Sequence, residues 1–233
     1  MQMLTFGLIV LALACLGVAY YAIATYAGGI PSGMQAGAAT PEVLYVHVFA
    51  SLVALALGPL QFAASLRARH PRLHRNSGRL YLLGVFVGGG AGLLLAFFAQ
   101  GAWVAKAGFA ALAVCWLHTA IRALVAILAG DVVAHRRWMV RNFALTFAAV
   151  TLRLYLPAAM VSGVPFEAAY PAIAWLCWVP NLLAAEALFN RTGARLAGRD
   201  GDRARGRITA ARGSATQRAT PPTGTSPRSS RRP

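Results

Sequence analysis

Two ionisable residues inside apolar stretches, His47 and Arg153, are the first candidates for chemistry in this chain of 233 residues. In the helices that these stretches predict, a rise of about 1.5 Å per residue puts His47 about 6 Å below one membrane face. Arg153 lies about 22 Å from the opposite face, which in a hydrocarbon core about 30 Å thick is about 8 Å from the face nearest His47. The shared depth predicts a polar pocket in the outer leaflet, where Arg153 binds an anion and His47 acts as a ligand or transfers protons.

A structural interpretation of the same two residues needs no ligand. Arg153 then extends toward water or pairs with Glu42 or Glu167, while His47 contacts interfacial water. A charge at this depth is costly in free energy, which favours a functional role. Pro157 lacks the N–H that would bond the carbonyl of Arg153, so that acceptor is also free. Both interpretations stay open at the level of sequence.

His74 and His135 form a second candidate site, because each stands at the cytoplasmic entrance of a predicted helix. Their shared depth permits joint ligation of a metal ion or of the iron of a haem b, for which neutral imidazole is a favoured ligand. Alternatively, these histidines and their neighbouring arginines bind phosphate headgroups, with Tyr81 and Trp138 as interfacial aromatic anchors. The sequence assigns no catalytic residue and predicts no metal cluster.

The remaining buried polar residues receive structural interpretations. His118 lies about 22 Å deep, far from the depth of His47, so it is expected to be an interior packing or hydrogen-bonding histidine rather than a second haem ligand. Arg122 and Glu186 approach the same membrane boundary and predict an ion pair between their helices. Asp131 is expected to be a turn or cap residue.

The elements that must position these residues are membrane helices. Hydrophobic residues make up 58% of the chain and charged residues 12%, against about 25% charged residues in soluble domains, so a soluble globular protein is excluded. A spanning helix needs about 20 mostly apolar residues. The sequence predicts an all-α, polytopic membrane helix bundle at 1–190 with six transmembrane helices, at about 3–27, 43–66, 78–100, 103–129, 138–162 and 168–189.

The charge distribution predicts topology rather than nucleic-acid binding. The chain has 22 basic and six acidic residues, and eleven of the basic ones follow Phe189. Most of the others fall in two short Arg-rich stretches, around 67–79 and 136–141, and no base-reading or stacking surface accompanies them. Under the positive-inside rule these stretches and both termini are cytoplasmic, in a multi-pass protein of the cell (inner or plasma) membrane. The preference for Arg over Lys, with abundant Ala, indicates a bacterial genome rich in GC.

The tail at 191–233 is rich in Arg, Gly, Ser, Thr and Pro and is predicted to be a disordered, basic, cytoplasmic segment. Its expected partners are anionic lipid headgroups. Three cysteines, Cys15, Cys115 and Cys177, lie in apolar stretches and are interpreted as small buried hydrophobic residues. Glycines in the third helix, from Gly84 to Gly92, predict close helix packing inside the bundle, the alternative being a homodimer contact.

The order of His, Arg and Trp motifs resembles a family of predicted bacterial membrane proteins, domain of unknown function 2306 (DUF2306). The motifs that carry the resemblance are Gly58-Pro59-Leu60-Gln61-Phe62, Leu73-His74-Arg75, Gly78-Arg79, Tyr81, Gly108-Phe109, Trp116, His135-Arg136-Arg137-Trp138-Met139, Arg141-Asn142 and the run from Leu145 to Arg153. This family implies a multi-pass membrane protein and supplies no activity. The His-bearing helices are also similar to four-helix haem-b cores such as the cytochrome b561 group, which implies one haem held by His74 and His135.

The sequence thus predicts a multi-pass integral membrane protein with a His/Arg polar site and no catalytic signature. Two alternatives stay open beside that general description. One is a haem-b electron-transfer protein that uses His74 and His135. The other is a transporter of small molecules or lipids, or a purely structural membrane protein.

Overall fold

The computed structural model describes residues 2–28, 41–99 and 103–189, in which every regular element is an α-helix. The helices are α1 (Gln2–Tyr26), α2 (Pro41–Phe62), α3 (Ala64–Arg69), α4 (Pro71–Ala96), α5 (Trp103–Leu128), α6 (Val132–Thr146), α7 (Ala148–Val161) and α8 (Phe166–Leu176), followed by helical residues at 179–189. The chain divides into two compact units, Met1–Ala187 and Leu188–Pro233. The predicted basic tail at 191–233 lies outside the described residues.

Six helical stretches are long and apolar enough to cross a membrane, which confirms the all-α fold and the number of spans. α1, α2, α4 and α5 each supply one span, α6 and α7 together form the fifth, and Phe166–Phe189 is the sixth. Large apolar side chains remain exposed along them, including Leu13, Leu128 and Val161. Soluble monomeric proteins rarely expose so much apolar surface to water. The environment of this bundle is therefore a lipid bilayer.

Two helices begin earlier than hydropathy predicts. α4 begins at Pro71 rather than near 78, and α6 begins at Val132 rather than near 138. Hydropathy excludes these charged first turns, but a helix can extend beyond the hydrocarbon core because headgroup water solvates its charges. Asp131 caps α6, since its side-chain oxygen accepts a hydrogen bond from the N–H of Ala134 at 2.8 Å, which confirms the predicted cap.

The glycines of α4 allow close packing within the bundle. A Cβ added to Gly84 would lie 2.7 Å from the carbonyl oxygen of Ala50 in α2, and one added to Gly88 would lie 2.7 Å from Ser51 Oγ. Gly89 approaches the opposite neighbour, α5, where a Cβ would lie 2.8 Å from a methyl carbon of Leu117. The predicted packing role of these small residues inside the bundle is therefore confirmed.

The fifth and sixth spans are both interrupted near their middle. α6 ends at Thr146 and α7 starts at Ala148, and the sixth span has a turn at Cys177 and Trp178. Pro180 explains the second break, because it lacks an N–H and its ring crowds the carbonyl four residues earlier. The carbonyl of the buried residue Cys177 accepts hydrogen bonds from Thr151 Oγ1 and from Asn181 Nδ2, the latter at 2.9 Å.

Candidate functional site

A cavity of about 520 Å³ lies within the first unit, bounded by α2, α4, α5, α6, α7 and α8. Most of its wall is apolar. The polar side chains on the wall belong to His47, Ser51, Trp116, Thr146, Arg153 and Tyr170. Cavities of this size suit small organic ligands, and a few convergent polar groups in an apolar wall are typical of binding sites.

Both helix breaks border this cavity. Ala148, the first residue of α7, and Cys177, at the turn of the sixth span, are among the lining residues. Irregular backbone is tolerated at membrane depth where it is buried in protein or lines a cavity. The two helix breaks therefore lie where the fold can accommodate them, on the wall of this cavity.

His47 is oriented by α4. Its Nδ1 lies 2.8 Å from the carbonyl oxygen of Gly88, and because a carbonyl only accepts, Nδ1 carries the hydrogen in this contact. Gly92 backs the ring, since a Cβ there would lie 2.8 Å from Nδ1 and 2.9 Å from Cε1. Nε2 is then the acceptor of the neutral ring. Fixing one ring nitrogen on a backbone carbonyl in this way is how proteins orient a functional imidazole.

Arg153 lies on the same cavity wall. Its Nη1 donates a hydrogen bond to the carbonyl oxygen of Ala149 at 3.0 Å, within its own helix. The phenol side chains of Tyr21 and Tyr26 in α1 are close enough to interact electrostatically with it. No Asp or Glu of the described residues forms an ion pair with Arg153, and Glu42 and Glu167, the predicted structural partners, have exposed side chains.

Ser51 is a lining residue that the sequence reasoning missed. Its Oγ is buried and has no hydrogen-bond partner among the described residues. Ser51 follows His47 by four residues on α2, so the helical period alone could have placed both on one face. A buried hydroxyl without a partner on a cavity wall is a place for a ligand or a water molecule to bind.

A closed hydrogen-bond network lies behind Trp116 and Thr146. Tyr81 donates to Asn142 Oδ1 at 2.6 Å, and Trp116 Nε1 donates to Thr146 Oγ1 at 2.8 Å. Asn142 Nδ2 donates at 2.8 Å both to the carbonyl of Trp116 and to Thr119 Oγ1. The Tyr81 and Thr146 hydroxyls are 2.9 Å apart. Thr146 Oγ1 also donates a hydrogen bond to the carbonyl oxygen of Asn142 at 2.9 Å. This network fixes α4, α5 and α6 together.

His74 and His135 do not lie on the cavity wall. His135 Nδ1 is 2.8 Å from the carbonyl oxygen of Ala123, whereas His74 Nδ1 is buried without a hydrogen-bond partner among the described residues. The two imidazoles are near enough to interact electrostatically. Within the described ranges no three His, Cys, Asp or Glu side chains converge on a metal site, so this position offers two imidazoles.

Two structural predictions were wrong. His118 is exposed rather than interior, with its ring edge-on to Trp138 at 5.8 Å between centroids. Glu186 pairs with Arg141 rather than with Arg122, through both carboxylate oxygens, one of them 2.8 Å from Nη2. Both errors concern the direction in which a side chain leaves its helix, which depth does not determine.

Comparison with known protein families identifies a family for this chain. The model of the family described as "Predicted membrane protein (DUF2306)" matches residues 44–189. No curated protein and no solved structure matches the chain. The resemblance to cytochrome b561 therefore receives no support, whereas the matched range contains the whole cavity wall described above.

Proposed function

This chain belongs to the DUF2306 family of predicted membrane proteins, and we propose that it binds an amphipathic anion in the cavity that His47 and Arg153 line. The observation that carries the proposal is the charge of Arg153 on a mostly apolar cavity wall whose described residues include no Asp or Glu. A guanidinium in such surroundings is costly unless a counter-charge accompanies it. An anionic ligand supplies that counter-charge.

The wall also limits the chemistry of the ligand. Phe109, Leu112, Leu152 and other apolar side chains make up most of it, so the body of the ligand must be apolar. The planar fork of a guanidinium suits a carboxylate or a phosphate. A lipophilic carboxylate, such as a medium-chain fatty acid, satisfies both requirements within about 520 Å³.

His47 supports the same ligand. With Nδ1 held by the carbonyl of Gly88, Nε2 can accept a proton from an acid that enters in its neutral form. The ligand would then bind Arg153 as the carboxylate, and its proton would stay on the imidazole. This gives His47 the proton-transferring role that its depth predicts.

Ligand-dependent thermal stabilisation tests this proposal. The purified protein in mild detergent is titrated with decanoate and with decanol, which has the same chain without the charge. We expect decanoate to raise Tm and decanol to have little effect. Arg153→Met should abolish the decanoate shift, whereas the matched variant Arg75→Met, at an exposed arginine of α4, should keep it. If both variants respond as the unmodified protein does, the cavity does not bind anions through Arg153.

The interruptions in the fifth and sixth spans favour transport of the anion over binding alone. In many transporters the substrate binds where interrupted helices meet near the middle of the membrane, and Ala148 and Cys177 bring two interruptions to this cavity. Uptake of radiolabelled decanoate into proteoliposomes distinguishes transport from binding. Equal accumulation with the unmodified protein and with Arg153→Met would indicate no transport through this site.

A second candidate function uses His74 and His135 as ligands of haem b or of a metal ion. The observations that favour it are the buried, unpartnered Nδ1 of His74 and the fixed Nδ1 of His135, which leaves its Nε2 available. A haem there would supply one-electron chemistry. Protein purified from haem-replete cells should then show a Soret band that is lost in the double variant His74→Ala, His135→Ala. A colourless protein removes the haem proposal.

A further inference from the structure

A second cationic site lies outside the cavity, around Trp138. The guanidinium carbon of Arg122 is 5.2 Å from the ring centroid of Trp138, and that of Arg141 is 4.7 Å from it. His118 meets the same indole edge-on. We call these four residues the Trp138 cluster. None of them lines the cavity.

The Trp138 cluster carries an excess of positive charge. Glu186 neutralises Arg141 through a two-point ion pair. Arg122 is exposed, and no Asp or Glu of the described residues pairs with it. Cation–π contact with the indole orients this guanidinium and supplies no counter-charge. One arginine of the cluster is therefore available to an external anion.

The position along the helices puts the Trp138 cluster at the membrane interface. Arg122 lies six residues before Leu128, the end of α5, a distance of about 9 Å along the axis. The span Val132–Val161 has 30 residues, so its length of about 45 Å matches a bilayer with its headgroups. A residue about 9 Å from the end of a neighbouring span then lies near the boundary between headgroups and acyl chains.

Apolar surface adjoins the charged groups. Ile121 and Val125, one residue before and three residues after Arg122 on α5, are both exposed. Leu183, one turn before Glu186 in the sixth span, is exposed as well. An anion bound at Arg122 would therefore have hydrocarbon contacts directly beside it, as an acyl chain requires.

We propose that the Trp138 cluster binds the phosphate of an anionic phospholipid. The Arg122 guanidinium donates to the phosphate oxygens, Trp138 holds that guanidinium in place, and the acyl chains lie along Ile121 and Val125. Basic sites between helices near the interface are suited to anionic headgroups. This site is separate from the cavity and does not depend on its ligand.

Lipid titration of the purified full-length chain tests the proposal. Binding of dioleoyl phosphatidylglycerol and of dioleoyl phosphatidylcholine is counted by native mass spectrometry. We expect the unmodified protein to retain phosphatidylglycerol preferentially. Arg122→Gln should weaken the preference by about fivefold, the factor that corresponds to about 1 kcal/mol per basic residue near the membrane surface. The control variant Lys106→Gln, which removes an exposed positive charge near the opposite end of α5, should change it little.

Three further measurements identify the source of the phosphate and guard against misfolding. Glycerol phosphate and inorganic phosphate, added at the same concentrations, should not compete with the lipid, because they lack acyl chains. Arg122→Lys keeps the positive charge but loses the planar, forked set of guanidinium donors. The folded variant should therefore show a preference for phosphatidylglycerol between those of the unmodified protein and of Arg122→Gln. Equal losses in Arg122→Gln and Lys106→Gln would overturn the site, and full competition by free phosphate would overturn its assignment to a lipid.

Discussion

At the scale of single residues, Arg153 is expected to destabilise the ligand-free protein and, by the proposed function, to bind the anion. Its side chain faces a mostly apolar cavity and makes one hydrogen bond, to the carbonyl of Ala149, among the described residues. We therefore expect Arg153→Met to raise the stability of the ligand-free protein by about 1–3 kcal/mol. An arginine at the centre of a membrane helix costs about 2.5–3.5 kcal/mol on insertion scales, and Arg153 lies nearer to one face, so its cost is smaller. Thermal unfolding in detergent without added anion measures the change.

The ligand response of the same variant makes this prediction specific. Arg153→Met should be the more stable protein without decanoate and the unresponsive one with it. A purely structural arginine would give the opposite pattern, a loss of Tm without ligand. His47→Gln is the companion variant, because glutamine can keep a hydrogen bond to the carbonyl of Gly88 but cannot accept the proton of the acid.

Ser51 supports a separate prediction about the cavity wall. Its buried Oγ has no partner among the described residues, so Ser51→Ala removes a hydroxyl that contributes no hydrogen bond within the protein. We expect the Tm of the ligand-free protein to stay the same or rise slightly. If the ligand bonds to this hydroxyl, its affinity should fall about two- to twelvefold, as expected for one hydrogen bond of about 0.5–1.5 kcal/mol. Isothermal titration with decanoate gives that ratio.

The same residues show how much of the site could be predicted from the sequence. The rise per residue is a constant of the helix, so the depths of His47 and Arg153 followed from counting. The rotation of each helix about its axis depends on tertiary packing, which one sequence does not specify. For that reason the exposure of His118 and the pairing of Glu186 with Arg141 could not be derived from depth alone.

At the scale of elements, the contact between α2 and α4 positions one side of the cavity. Gly84 faces backbone there, and an added Cβ would lie 2.7 Å from the carbonyl oxygen of Ala50. Gly84→Ala must therefore push the two helices apart and displace Ser51 and His47. We expect a fall in Tm of several degrees and a weaker response to decanoate, both measured in detergent.

Gly90 provides the matched control, because a Cβ at that position meets nothing within 4 Å. Gly90→Ala removes a poor helix former from the same helix without a clash, so its stability should stay the same or increase by about 1 kcal/mol at most. Equal destabilisation by both variants would contradict the packing role assigned to Gly84.

The ends and breaks of the helices were less predictable than their number. The six spans could be predicted because each transmembrane helix requires a long apolar stretch to cross the bilayer. The spans predicted from hydropathy begin after the arginines that precede them. The charged first turns of α4 and α6 were therefore not predicted as helical. The turn at Cys177 follows from Pro180, whereas the break between α6 and α7 has no proline or glycine beside it that would have predicted it from the sequence.

At the scale of the whole molecule, the arginines around 67–79 and 136–141 predict which face of the bundle is cytoplasmic. The chain carries three native cysteines, two of them buried and one partly buried, so replacing them with alanine gives a background without accessible thiols. His70, between α3 and α4, and Ser162, after α7, are both exposed positions near opposite ends of the spans. Each can take a single new cysteine.

Labelling with a membrane-impermeant maleimide then reads the orientation directly. In intact cells of a bacterial expression host, Ser162→Cys should react from outside, and His70→Cys should react only after the membrane is permeabilised. This follows because basic segments next to short loops stay on the cytoplasmic side during insertion. The cavity end with His47 and Arg153 would then face the exterior, and the Trp138 cluster would meet the anionic inner leaflet. The reverse labelling pattern would invert both assignments, so that the cavity ligand would have to come from the cytoplasm.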